Sequence, residues 1–168
     1  MKIKSMEDLM VHELQDLRSA EEQLVEALPK MAEAASSAQL KKAFNAHLKQ
    51  TQIQLTRMEK ALQHMGKGPG NMKCKGMEGL VKEGDEVIKN VTDPQTRDAA
   101  LIGAAQRVEH YEIAGYGTAR AHAEELGLTE IADLLQVTLD EEGETNKLLT
   151  QLAEGRMTSG VNERAATR

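Results

Sequence analysis

From Met10 to Met31 the chain sets an inward-facing residue at alternating three- and four-residue steps: Met10, Leu14, Leu17, Glu21, Leu24, Leu28, Met31. That spacing is one stripe of an α-helix packed against other helices. The stripe is unbroken, and its middle member is a carboxylate. Two further segments repeat the pattern. One reads Ile102, Ala105, Glu109, Glu112, Tyr116, Ala119, Ala123, Leu126; the other reads Ile131, Leu135, Thr138, Glu142, Thr145, Leu149, Leu152. A fourth gives Leu40, Phe44, His47, Thr51, then Leu55, Met58, Leu62 after a one-residue slip. Four stripes, each with a polar group near its centre, predict a helical bundle with a polar layer across it.

Local signals bound the helices. Ser5 with Asp8 resembles a capping box and starts the first helix, which runs to about Ala35 with Pro29 predicted to kink it. Ser36 with Gln39 is a second capping-box signal, opening a helix to about Met65. The Gly- and Lys-rich "GKGPGNMKCKG" is a loop, and "MEGLVKEGDEVIKNV" a shorter amphipathic helix. Thr92 or Asp93 then caps a helix with Pro94 in its first turn, which Gly127 stops near Leu126. Thr129 caps the last helix, which ends near Glu154 with Gly155 after it. The domain spans residues 1–155, and residues 156–168 are expected to be a disordered tail.

The connections choose the architecture. Short turns join the first two and the last two long helices, and a long insert at about 66–93 joins the pairs. Two hairpins with one long crossover make the ferritin-like variant of the four-helix bundle, all-α, with a short extra helix in the crossover. The composition agrees: aromatic residues are 2% and only three prolines occur. The net charge of −6 argues against a nucleic-acid partner. No apolar run reaches the roughly 18 residues of a membrane span, and no signal-peptide apolar region opens the chain. One cysteine, Cys74, excludes an intrachain disulfide and points to a reducing, cytoplasmic setting. Cys74 itself is read as a packing residue.

Counting back to the hairpin turns places Glu21, Thr51, Glu112 and Glu142 each about 15 residues from its turn. At about 1.5 Å per residue they share one level, with His47 within a turn or two. Several buried carboxylates cannot all stay ionised uncompensated. Two divalent cations would balance four of them, and an oxygen-rich site with an imidazole suits iron or manganese. The Glu-x-x-His pairs usual for such bundles are absent; Glu109-x-x-Glu112 and Glu142-x-x-Thr145 stand instead. His12, His64, His110 and His122 fall off the stripes and are read as structural or surface residues.

"HELQDLRSAEEQLVEALPKM", "AHLKQTQIQLTRME", "CKGMEGLVKEG", "RDAALIGAAQRVEHYEIAGYGTARAHAEELG" and "LLQVTLDEEGETNKLLTQLA" together resemble the YciF family of bacterial stress-associated proteins, over about residues 5–154. "VEHYEIAGYGT" is the most specific part. The resemblance implies a ferritin-like bundle similar in outline to rubrerythrin and other di-iron carboxylate proteins, a homodimer, and at most two ions per chain, iron or manganese. The implied ligands are Glu21, His47, Glu109, Glu112 and Glu142, with Gln50, Thr51 and Tyr116 as supporting partners or further ligands. The family commonly has Glu where this chain has Gln50, and often Asp where it has Asn146. Two readings stay open: a metal protein handling iron or peroxide under stress, and a non-catalytic helical dimer, structural or partner-binding, with a metal-free polar core.

Overall fold

The structure, a computed structural model, describes residues 2–166, with side chains described for residues 2–155. Five helices follow in order: α1 (Met6–Ala34), α2 (Ala38–His64), α3 (Lys75–Asn90), α4 (Pro94–Glu125) and α5 (Thr129–Ala166). The α1–α2 and α4–α5 hairpins pack side by side, with α1 against α4 and α2 against α5. The crossover carries α3 along the outside of the α1/α4 pair. This is the ferritin-like arrangement expected from the connection lengths.

Each turn has a physical cause. The Ser5 hydroxyl accepts from the Asp8 N–H at 3.1 Å, and Asp8 accepts from the Lys4 N–H at 3.0 Å. Gly66 and Gly127, at φ 65° and 68°, take the left-handed conformation that ends α2 and α4. Asp93 caps α4 through the Thr96 N–H at 2.8 Å, with Pro94 in the first turn.

Three boundaries differ from the sequence reading. Ser37 caps α2, accepting from the Leu40 N–H. Ser36 is spent elsewhere: its N–H and that of Ser37 donate to buried Asp98 of α4 at 2.6 and 2.8 Å. Asp98 so ties the start of α4 to the α1–α2 turn. Thr129 lies inside α5 as its first residue rather than capping it. The α5 backbone continues past Gly155 to Ala166; a glycine ends a helix only where the chain turns left-handed, and Gly155 does not. Of the tail at 156–168 that the sequence reading expects to be disordered, the side chains and the whole of residues 167–168 lie outside the described residues.

The core is in two parts. Leu24, Leu28, Met31, Phe44, Met77, Leu101, Ile102 and Leu149 fill the half nearest the α1–α2 turn. Met10, Leu14, Leu17, Met58, Leu62, Tyr116, Ile131 and Leu135 fill the other. Burying such a side chain contributes about 1.5–3 kcal/mol. Between the halves lies a belt of buried polar residues. No helix among the described residues is long and apolar enough to cross a membrane.

Candidate metal centre

The belt is built from the middles of all four long helices. α1 supplies Glu21; α2 supplies His47, Thr51 and Gln54; α4 supplies Glu109 and Glu112; α5 supplies Thr138 and Glu142. All are buried, as their stripes require, and Tyr116 is buried beside them. Glu109 and Glu112 face the core.

His47, Glu109, Glu112 and Glu142 converge: each offers a ligand atom, and those atoms lie within 4.8 Å of one another. The His47 Nε2 is 3.3 Å from Glu109 Oε1 and 4.0 Å from Glu142 Oε2. On its other side the ring Nδ1 is 3.5 Å from the Thr145 hydroxyl. The Thr51 hydroxyl donates to the His47 carbonyl at 3.0 Å, so it serves the α2 backbone.

Glu21 stands outside that foursome. Its Oε1 accepts a short hydrogen bond from the Tyr116 hydroxyl, while its Oε2 is free. Gln50 is only half-buried. It lies one turn from His47 on α2 and is a minor contributor to the raised imidazole pKa, which makes it a support for the ring. His12, His64, His110 and His122 lie outside the cluster; His110 is exposed, and His64 and His122 pair with Glu130 and Glu13.

Sequence reasoning missed Gln54. The stripe on α2 has no slip: Thr51, Gln54 and Met58 are buried at regular spacing, while Leu55 is half-buried. The signal was present in the three-and-four spacing. Leu55 hid it, because an apolar residue one place on looks like the better core member. The Gln54 amide donates to Glu142 Oε1 in a short hydrogen bond, and to Glu141 Oε2 at 3.1 Å.

The electrostatics follow from crowding acids in a dry layer. Burial pushes the Glu21 carboxyl up to about 8, against the hydrogen bond from Tyr116, which lowers it. Burial and then the Glu109 charge push Glu142 up to about 11. Glu112 is driven well above the carboxylate range by burial and by Glu21, Glu142 and Glu109. Burial alone would lower His47; the Glu109 charge, 3.3 Å from its Nε2, with that of Glu21, outweighs it and raises the imidazole.

These residues fit a hard divalent cation. Both oxygens of Glu112, Oε2 of Glu109, Oε2 of Glu142 and Nε2 of His47 are buried without a hydrogen-bond partner. A buried polar atom left so costs about 1–3 kcal/mol. Five of them at one place form a donor set of four carboxylate oxygens and one imidazole, the chemistry that suits iron or manganese. The cluster could hold a metal ion.

Comparisons with known proteins agree with the fold. The family described as "Domain of unknown function (DUF892)" matches residues 5–166. The chain is 46% identical to Protein YciF of Escherichia coli (strain K12) over 166 residues, 98% of each chain. The crystal structure of that stress protein superposes with a TM-score of 0.90, covering 93% of this chain and 99% of that one. YcfI from Rhodopseudomonas palustris is 42% identical, with a TM-score of 0.86 over 89% of this chain and 95% of its own. A structure of ferritin-like, diiron-carboxylate proteins from Bacillus anthracis str. Ames has a TM-score of 0.71 over 90% of this chain and 99% of that one. At 16% identity that last likeness is one of fold.

Proposed function

Since the chain belongs to the DUF892 family, with Protein YciF of Escherichia coli as a relative, we propose that it is a ferritin-like stress protein whose buried Glu–His belt binds iron or manganese. The observation that carries this reading is Glu112. It is 1% exposed, sits among three other potential ligands, and has no partner on either oxygen. A buried acid with both oxygens bare calls for a ligand that the protein does not itself supply.

His47, Glu109, Glu112 and Glu142 would hold the first ion. Glu21 Oε2 and an oxygen of Glu112 would serve a second, in line with the diiron-carboxylate proteins of the same fold. When bound, such ions supply one-electron chemistry with dioxygen or peroxide, or a place to oxidise Fe(II). The chain's own part is to present dry carboxylate oxygens and to exclude water by the apolar halves on either side. Tyr116 holds Glu21, and Thr145 meets the far nitrogen of His47. A cytoplasmic homodimer is the assembly the family resemblance favours.

Elemental analysis of the chain after anaerobic Fe(II) loading tests the reading. Two ions per chain are expected; one restricts the site to the foursome; none overturns the proposal. One observation favours the second reading, a metal-free polar core: Glu21 and Glu142 each accept a hydrogen bond and have raised pKa values, as protonated structural acids would. On that reading a chelator leaves the melting temperature unchanged.

A further inference from the structure

We propose that Gln54 is a positioning residue that makes Glu142 a one-oxygen metal ligand; the assignment rests on the metal reading above. Gln54 is 1% exposed and reaches the belt from α2. Its amide nitrogen has two hydrogens, and each finds a carboxylate: Glu142 Oε1 and Glu141 Oε2. Adjacent residues of a helix point in different directions, so only a group arriving from a neighbouring helix can bridge them.

The amide is held from behind. Arg57, one turn along α2, grips Glu141 with both terminal nitrogens, the second at 2.8 Å to Oε1. The same guanidinium reaches the Thr138 hydroxyl at 3.2 Å. Glu141 cannot swing away without breaking that pair, so the direction of the Gln54 N–H groups is fixed. Reversing the amide would set its carbonyl oxygen against the Glu141 carboxylate that Arg57 holds. The Gln54 carbonyl has no partner as the amide stands.

The consequence falls on Glu142. One oxygen is occupied by Gln54, and the other, Oε2, is unpartnered and lies 4.0 Å from His47 Nε2. The hydrogen bond takes one of the two lone pairs of Oε1 and draws charge toward it, so Oε2, with both lone pairs unclaimed, is the better donor to an ion. Gln54 would thereby favour binding of an ion through a single Glu142 oxygen. A glutamate at this position would do the reverse, adding negative charge beside Glu141 and Glu142 and losing both donors.

The test uses Co²⁺ as the probe, added to the metal-free full chain and read by electronic absorption. The wild type is compared with Gln54→Met, which keeps length and shape but has no donor, and with Glu142→Gln. Gln54→Met is expected to bind Co²⁺ with weaker, blue-shifted ligand-field bands, because Glu142 then chelates and the coordination number rises. Glu142→Gln is expected to lose affinity at least tenfold. A folded Gln54→Met with the wild-type spectrum overturns the positioning role. No Co²⁺ spectrum in the wild type overturns the metal reading and this assignment with it. If Gln54→Met does not fold, Gln54→Asn carries the same comparison, since its amide is retained but withdrawn by one methylene.

Discussion

Glu112 is the residue on which the metal reading turns, and the one whose replacement separates the readings most sharply. Gln at this position keeps the shape and removes a group held far above its usual pKa by burial and neighbouring acids. The metal-free chain is expected to melt at the same temperature or higher, because a buried acid without hydrogen-bond partners contributes nothing to stability. Divalent metal affinity should fall at least tenfold, about 1.4 kcal/mol, measured by isothermal titration with Mn²⁺. Unchanged affinity would remove Glu112 from the site. Tyr116→Phe probes the neighbouring contact. It strips Glu21 of its hydrogen bond in a fully buried place and should cost about 1–3 kcal/mol in urea unfolding. The inward Glu and His residues were legible in the sequence because a charge at a stripe position stands out against Leu and Met. Gln54 was not, since a neutral amide beside Leu55 carries no such contrast. Nor was the pairing of Glu21 with Tyr116, which depends on which rotamers two helices allow each other.

At the scale of the elements, the hairpins and crossover were readable because Gly66, Gly127 and Pro94 punctuate the chain where the backbone requires it. The contacts that hold the elements to one another were hidden. Ser36 looked like a cap, but its N–H serves Asp98 across the bundle. Asp98→Ala would leave two backbone donors at the α1–α2 turn without their carboxylate, and a loss of about 3 kcal/mol is expected in urea unfolding. The loss should be absent if the turn can recruit water. Helix α3 is held as closely. Its cap is Cys74, whose sulfur accepts from the Met77 N–H and meets the Tyr111 hydroxyl at 2.9 Å; Tyr111 in turn donates to Asp16 at 2.8 Å. A Cβ on Gly76 would lie 2.5 Å from the Tyr111 ring. Gly76→Ala should therefore push the ring off Asp16 and Cys74 and destabilise the chain by about 1–3 kcal/mol. A thermal melt matching the wild type would mean that α3 simply shifts outward.

For the whole molecule, the belt makes stability depend on pH. Glu21 ordinarily loses its proton near 4.5, but in the folded chain only at about 8; Glu142 holds on to about 11. Between 4.5 and these values the folded state binds more protons than the unfolded one, so stability falls as pH rises. His47, also raised, acts in the same direction above its ordinary 6.5. Each retained proton tilts stability by about 1.4 kcal/mol per pH unit. Chelator-treated protein should thus melt progressively lower from pH 5 to pH 8. Loading with metal should flatten that trend, because the cation replaces the protons. A melting temperature that climbs with pH in the chelated chain would show that the carboxylates are ionised and otherwise compensated. The belt has one more effect, independent of any ligand. In a bundle with a uniform oily seam, one helix can slide past another by a turn and still bury its side chains. Here such a slide would drive Glu21, His47 or Glu142 into an apolar half. The belt thus acts as a detent, locking the lengthwise alignment of all four helices at a single position.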